Sequence, residues 1–131
     1  MEIFVFGSNL AGRHGKGAAL DAKRYHGAIN GRGFGMQGSS YAIPTKDANL
    51  TTLSLDRIKP YVITFVRFAR DNPDLNFFVT RVGCGLAGYT DQDIAPMFKA
   101  APANCQLPQE WKQYYGNLER NSSTRAQWVS V

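Results

Sequence analysis

The sequence is poor in the residues that metal sites and disulfide frameworks need. Its 131 residues include two cysteines, Cys84 and Cys105, and two histidines, His14 and His26. Two thiols cannot form a disulfide framework, and a four-ligand zinc site would need more histidines than the chain offers. A domain of this length can be stable without such staples. We therefore predict no metal site and no cofactor.

Targeting signals and long apolar runs are also missing. No N-terminal stretch shows the charged start, apolar middle and small-residue cleavage pattern of a secretory signal, and no apolar run approaches the roughly 20 residues of a membrane helix. These absences predict a cytoplasmic protein in a reducing environment, with no membrane partner. The composition, 44% hydrophobic and 19% charged, is that of one ordinary globular domain.

The excess positive charge is confined to one third of the chain. Six basic residues and one acidic residue fall between Gly7 and Lys46, whereas the other 91 residues hold nine of each. Nine of the 13 glycines also lie between Gly7 and Gly38. The net charge of +5 therefore indicates a local anion site more than a generally basic surface.

The first part of the chain reads as strand, glycine loop and helix. Residues 1–6 are apolar and either β-branched or aromatic, which predicts a short buried strand before a Gly-Ser-Asn turn. The spacing of alanines and tyrosine over residues 18–25 predicts a short helix ended by Gly27. Residues 40–43 predict a second strand that is closed by Pro44.

The same alternation continues toward the C-terminus. Apolar residues at helical spacing predict an amphipathic helix that begins near Lys59, because Pro60 is tolerated only in a first turn, and that ends by Asn72. Residues 75–82 predict a strand, and residues 104–107 a last short one. Between these strands, residues 90–93 resemble a capping box that starts a further helix, with an apolar stripe of Ile94, Met97, Phe98 and Ala101.

Alternating strands and helices predict an α/β fold, in which a mixed, partly parallel sheet is flanked by helices. Ligands of such folds bind beyond the carboxyl ends of the strands, where both glycine-rich loops lie. Residues 1–108 form one predicted domain. Residues 109–131 form a C-terminal extension, whose polar, irregular stretch from about Gly116 predicts a partly mobile tail that Trp128 and Val129 can dock.

The first glycine-rich loop, residues 7–19, runs from the first strand into the first helix. Glycines let backbone N–H groups approach an anion, the helix start adds free donors, and Arg13 and Lys16 add full charge. The spacing matches neither the dinucleotide fingerprint nor a phosphate-binding Walker loop. A flexible glycine-rich surface loop is the alternative.

The second glycine-rich loop, residues 82–89, follows the most strand-like run of the chain. Its glycines again expose backbone donors, and Tyr89 is placed to lie over a ribose or a base. A tight turn would show the same residues. Together the two loops favour an anion-binding cleft more than either loop does alone.

Three segments carry a resemblance to a known family: GSNLAGRHGKGAA at 7–19, GSSYAIPTK at 38–46 and VGCGLAGY at 82–89. They resemble the macro domain, a three-layer α/β fold that binds ADP-ribose, and are nearest to its branch of glycohydrolases that remove ADP-ribose from proteins or DNA. The resemblance covers roughly residues 1–108. It implies that Asn9 contacts the distal ribose and that the two loops face each other across the pyrophosphate.

The resemblance also implies a catalytic role for Lys46, since a lysine in the matching stretch of the glycohydrolase branch can attack the anomeric carbon. In that branch an acidic residue follows Gly-Cys-Gly-Leu and completes hydrolysis, but here the position is Ala87. A lysine without a nearby acid can bind or trap a ligand yet turns it over poorly. The sequence thus leaves open whether the chain hydrolyses an ADP-ribosyl bond or only binds and sequesters the nucleotide.

The predicted ligand-binding residues come from both loops. For His14 a solvated loop position is the alternative, for Cys84 a small buried residue under the loop, and for Lys46 a solvated charge. Two acids near the second loop, Asp91 and Asp93, are explained by helix capping. The predicted set is Ser8, Asn9, Arg13, His14, Gly15, Lys16, Gly17, Ala18, Gly83, Cys84, Gly85, Leu86, Ala87, Gly88 and Tyr89.

Two other functions remain open at this point. A basic nucleic-acid-binding protein would use the same cluster of cations to neutralise phosphates, although no aromatic residue interrupts the basic loop between Gly7 and Gly17 as a stacking platform would. An accessory protein whose loops serve only a protein partner is the other. The preferred partner is a small ADP-ribose-like nucleotide, free or attached to a macromolecule.

Overall fold

The computed structural model of the chain describes residues 1–115 and 128–129. Within them no helix is both long and apolar enough to cross a membrane. The helices are α1 (Gly17–Tyr25), α2 (Leu55–Asp71) and α3 (Asp91–Ile94), with 3-10 helices at Ala95–Phe98 and Gln109–Tyr115. The strands are β1 (Glu2–Asn9), β2 (Gly35–Gln37), β3 (Ser40–Lys46), β4 (Asn76–Val79), β5 (Cys105–Pro108) and β6 (Trp128–Val129).

The strands form one sheet in the order β2-β3-β1-β4-β5-β6. Strand β2 is antiparallel to β3, and the other neighbours are parallel. The sheet is therefore mixed and partly parallel, which confirms the predicted fold class. Strand β1 lies near the centre, with β3 on one side and β4 on the other.

Each face of the sheet is covered by helices, which gives three layers. On one face, Ile3 and Val5 of β1 are fully buried in the larger core cluster, which also contains the apolar stripe of α2. On the other face, Phe6 packs with Ala19 and Ala22 of α1 in a smaller cluster. Because the side chains of β1 alternate between the two faces of the sheet, this strand contributes to both core clusters.

Strands β1 and β3 are longer than predicted. The expected turn at Gly7 and the following Ser-Asn continues β1 instead, because β3 runs beside it and pairs Gly7 with Ile43 and Ser8 with Pro44. Pro44 does not close β3, which continues to Lys46. Strand β2 pairs with β3 only as far as Ala42, so Pro44 lies where β3 has no partner on the β2 side, and proline is tolerated there.

Helix α2 begins four residues earlier than predicted, at Leu55, with Ser54 as its N-cap residue. Pro60 therefore lies inside the helix and removes one hydrogen bond, that to the Asp56 carbonyl. Both residues are exposed. Water can satisfy the freed carbonyl at this surface, which is why the helix continues through the proline.

Strand β4 covers half of the predicted strand. After Val79, Thr80 donates both its N–H (3.1 Å) and its hydroxyl (2.7 Å) to the carbonyl of Val5, and the chain turns at Gly83, whose φ is +77°. The ladder ends there. The residues predicted to extend the strand form a wall of the cleft instead.

The capping box at Thr90 is confirmed, since Thr90 and Asp93 exchange backbone and side-chain hydrogen bonds. The α-helix ends at Ile94, however, and a 3-10 helix follows. Pro96 explains the change, because it has no N–H to continue the α-helical pattern. The last predicted strand is confirmed within one residue as β5.

The first part of the predicted C-terminal extension packs on the core. Trp111 is fully buried, with its ring 4.9 Å from that of Phe98. The predicted mobile stretch falls on residues 116–127 and 130–131, which lie outside the described residues. The backbone of Trp128 and Val129 pairs with β5.

Candidate functional site

A cleft of about 720 Å³ opens at the carboxyl ends of β1, β3 and β4. Its volume is that of a typical small-molecule site. After β1 the chain passes through α1 and β2 to β3, which lies on one side of β1 in the sheet. After β3 it passes through α2 to β4, which lies on the other side of β1. Such a reversal of strand order is where open α/β sheets bind ligands.

The first wall of the cleft is formed by residues 7–19, and its polar side chains hold it together. The Asn9 side-chain amide donates to the carbonyl of Arg13 (2.9 Å) and accepts from the N–H of Arg13 (3.0 Å). The Ser8 hydroxyl donates to the carbonyl of Gly33. Both residues line the cleft. Their hydrogen-bonding groups nevertheless shape the wall more than they offer contacts to a ligand.

The start of α1 supplies backbone donors at this wall. Lys16 is the N-cap residue without a side-chain cap, and the first turn carries no acidic residue. The first-turn N–H groups have no intrahelical acceptor, and Gly15, Gly17 and Ala18 line the cleft. Free N–H groups and the positive end of a helix dipole attract anions.

The second wall is formed by residues 80–87. The N–H of Cys84 donates to Arg81 (3.0 Å), and the N–H of Gly88 donates to Gly85 (3.0 Å). Within the described residues, no acceptor meets the N–H groups of Gly85, Leu86 or Ala87. All three residues line the cleft, so this wall too offers backbone donors.

An ion pair holds Arg81 at the base of the second wall. Arg81 binds Asp91 with two nitrogens, at 2.9 and 2.7 Å, and the indole N–H of Trp111 donates to the same carboxylate at 2.8 Å. The hydrogen bond from Arg81 is the main cause that lowers the pKa of Asp91, with a contribution from Trp111. The pKa of Arg81 is raised in return. Of the two acids that the sequence assigns to helix capping, Asp93 therefore forms the capping box, whereas Asp91 holds Arg81 and Trp111 instead.

Cys84 is a poor nucleophile at neutral pH. Burial raises the pKa of its thiol to about 12, and the nearby Asp91 carboxylate adds to the shift. The thiolate is the nucleophilic form of cysteine. The thiol is therefore protonated at neutral pH, and the half-buried Cys84 lines the cleft without a thiolate nucleophile.

Among the residues that the structure describes, the cleft is lined by cations and by no carboxylate. Arg13, Lys16, Lys46 and Arg81 are lining residues, and no aspartate or glutamate is among them. Arg81 is neutralised by Asp91. Across residues 1–115, the other three form no ion pair. The site therefore carries a net positive charge that is available to a ligand.

The structure leaves three of the predicted site residues outside the cleft. His14 is 1% exposed, and its Nε2 donates to the carbonyl of Arg32 (3.0 Å); it is not the solvated loop residue of the alternative. The Tyr89 hydroxyl donates to the carbonyl of Leu53 (2.6 Å) and ties the second wall to the loop after β3. Gly88 lies beyond the lining residues.

The sequence patterns do not predict several of the residues that line the cleft. Arg81 had a usable signal, a basic residue at the carboxyl end of a strand. Thr45 could have been found beside Lys46. Leu50 had none, because its place depends on the fold of the loop after β3. The full set of missed lining residues is Gly7, Ala19, Thr45, Leu50, Thr80, Arg81 and Val82.

In the described part of the chain, no group of three histidine, cysteine, aspartate or glutamate side chains is arranged to hold a metal ion. The functional evidence is therefore the cleft with its donors and cations. Comparison with known proteins adds nothing to it, since no family model, no curated protein and no solved structure matches this chain.

Proposed function

We propose that this chain binds ADP-ribose or a related ADP-ribosyl nucleotide, and that it acts chiefly by binding and sequestering this ligand. One observation carries the proposal: among the described residues, three cations that form no ion pair line the same cleft as the start of α1, and no carboxylate is part of this lining. A pyrophosphate is the matching ligand group, because it carries two negative charges and many acceptors for backbone N–H groups. The loop sequences that resemble the macro domain support the same ligand.

Binding is favoured over rapid hydrolysis by the same lining. Lys46 lies in the cleft, where it can approach an anomeric carbon. A lysine adduct must then be released by water, and this step benefits from a general base. Asp91, a nearby acid, is bound to Arg81 and Trp111. We therefore expect any ADP-ribosyl hydrolysis to be slow compared with ligand binding.

Isothermal titration with ADP-ribose tests the proposal directly. We expect binding that Lys16→Ala weakens about 10-fold, since a contact to a charged group contributes roughly 1.5–3 kcal/mol. Lys59→Ala is the matched control, because Lys59 is an exposed lysine of α2 outside the cleft. Absence of heat with ADP-ribose and its phosphorylated or cyclic relatives would refute the proposal.

The hydrolase version makes a separate prediction about Lys46. Slow release of ADP-ribose from an ADP-ribosylated substrate should disappear in Lys46→Ala, while the affinity for ADP-ribose falls only modestly. Equal release rates in both proteins would remove Lys46 from the reaction. This result would leave the binding proposal intact.

Nucleic-acid binding is a second candidate, favoured by a neighbouring depression of about 390 Å³ that includes Arg13, Lys23 and Asn30. Its cations could contact successive phosphates. Gel-shift titration at two salt concentrations separates the two functions, because nucleic-acid affinity falls steeply with salt and a small enclosed ligand is much less sensitive.

A further inference from the structure

Leu50 occupies the cleft in an unusual conformation. Its φ is +65°, and it is the one non-glycine residue with positive φ among the described residues. Its side chain is 42% exposed and lines the cleft. A leucine in the left-handed region is strained, and no burial in the core offsets this strain. The position suits glycine or asparagine better, so a packing role does not explain the leucine.

Hydrogen bonds within the loop hold Leu50 in this conformation. The carboxylate of Asp47 accepts from the N–H groups of Asn49 (2.9 Å) and Thr51 (3.0 Å). The N–H of Leu50 donates to the carbonyl of Asp47 (3.1 Å). Strain that the surrounding hydrogen bonds enforce is typical of functional positions.

Leu86 is the matching residue on the second wall. It is 64% exposed and lines the same cleft. A methyl group of Leu86 lies 3.6 Å from the position that a Cβ at Gly17 would occupy, so the side chain reaches toward the start of α1. Leu50, in the loop after β3, and Leu86, on the second wall, are thus two exposed apolar side chains that a ligand in the cleft can cover.

Two hydrogen bonds link the loops that carry these leucines. The hydroxyl of Thr52 donates to the carbonyl of Ala87 (3.0 Å), and the hydroxyl of Tyr89 donates to the carbonyl of Leu53 (2.6 Å). The Leu50 loop is thereby fastened to the loop that carries Leu86. We name this pair of leucines the apolar rim.

We propose that the apolar rim holds the uncharged ring of the bound nucleotide, its nucleobase, by apolar contact. The inference rests on the proposed function, in which the pyrophosphate lies at the start of α1. A cleft of about 720 Å³ is far larger than a phosphate group needs, and Leu50 and Leu86 are large, exposed apolar side chains of its lining. An apolar ring attached to an anion is the chemistry that complements both parts.

The apolar rim also predicts how strongly the site selects between nucleobases. Within residues 1–115, no carboxylate lines the cleft, and the one lining side-chain amide, that of Asn9, is bound to the backbone of Arg13. Hydrogen bonds to the base edge would give strong selection between bases, whereas apolar contact gives little. We therefore expect ADP and GDP to bind within about 3-fold of each other.

The test compares ADP with inorganic pyrophosphate, which lacks the ring, in the full-length protein and in three variants. In Leu50→Gly and in Leu86→Ala, the affinity for ADP should fall about 10-fold, while the affinity for pyrophosphate stays unchanged. Ile63→Ala is the control, because Ile63 is 39% exposed on α2 and lies outside the cleft. It should alter neither affinity.

Thermal unfolding separates this role from a structural one. Leu50→Gly relieves the positive φ, so its melting temperature should be equal to or above that of the unchanged protein. Affinities for ADP and pyrophosphate that fall together, or that do not fall, overturn the role of the rim and leave the proposed function standing. If neither ADP, ADP-ribose nor pyrophosphate binds, the proposed function fails and the rim proposal fails with it.

Discussion

The two walls of the cleft arise from the same sequence signature, glycines after a buried strand, but they are held by different interactions. The first wall is fastened from within, by the amide of Asn9 on the backbone of Arg13. The second wall is fastened from outside, by Asp91 on Arg81 and by the indole of Trp111 on Asp91. The hydrogen bonds of Asn9 to Arg13 join residues four positions apart, whereas the second wall depends on a residue 30 positions from Arg81, Trp111.

The glycines around the cleft have two different roles. Gly33 backs the first wall, and a Cβ there would overlap the carbonyl oxygen of Asn9. Gly15 and Gly85 line the cleft, and a Cβ at either would meet nothing within 4 Å. Some glycines therefore allow backbone segments to touch, while others leave room for a ligand.

The largest effect on stability is expected at Gly33, which lies behind the first wall. Gly33→Ala should lower the free energy of unfolding by about 3 kcal/mol or more, since the clash is with backbone and cannot be relieved by a rotamer change. Urea unfolding measures it. Gly15→Ala, whose φ is outside the left-handed region, is the control and should unfold almost as the unchanged protein does.

The second wall should respond next most strongly. Asp91→Ala leaves the buried indole N–H of Trp111 without its acceptor and removes the partner of Arg81, at a cost of about 2 kcal/mol. Urea unfolding at neutral pH gives this value. A loss within error of zero would mean that the ion pair does not hold the wall.

The pH dependence of this effect follows from the lowered pKa of Asp91. A carboxyl group with a lowered pKa in the folded state contributes stability above its ordinary pKa, 3.8, and this contribution disappears as the pH falls through the folded value. The stability difference between the unchanged protein and Asp91→Asn should therefore shrink on acidification from pH 6 toward pH 2. A constant difference would contradict the assignment.

On the first wall, the loss of the Asn9 clamp should have a smaller effect. Asn9→Ala removes two hydrogen bonds to Arg13, each with a net contribution of about 1 kcal/mol at most when partly buried. We expect about 1–2 kcal/mol less stability by urea unfolding and weaker ADP-ribose binding, because the loop that carries Arg13 and Lys16 loosens. Unchanged affinity would show that the clamp does not shape the site.

The smallest effect on stability is expected at Gly85. Gly85→Ala adds a methyl group to open space in the cleft, so the free energy of unfolding should change by less than about 0.5 kcal/mol. The affinity for ADP-ribose should nevertheless fall, since the Cβ occupies ligand volume beside the free N–H groups. Equal affinity would place the ligand away from the second wall.

Much of the first wall could be predicted from local sequence. The order of strand, loop and helix, the confined charge and the capping box at Thr90 all depend on near neighbours, whose preferences act over one or two turns. Element ends were less predictable. The sequence pattern places element boundaries at Pro44 and Pro60, but the pairing of β3 with β1 and the exposed face of α2 accommodate both prolines.

Local patterns are enough to indicate that two glycine loops and a cluster of cations follow buried strands, because hydrophobic periodicity and turn chemistry are local properties. They do not indicate that His14 and Tyr89 support the walls, that Arg81 is neutralised by Asp91, or that Leu50 enters the cleft at positive φ. These outcomes depend on contacts between segments distant in the chain. The packing of the sheet and its helices sets such contacts, and no local pattern encodes them.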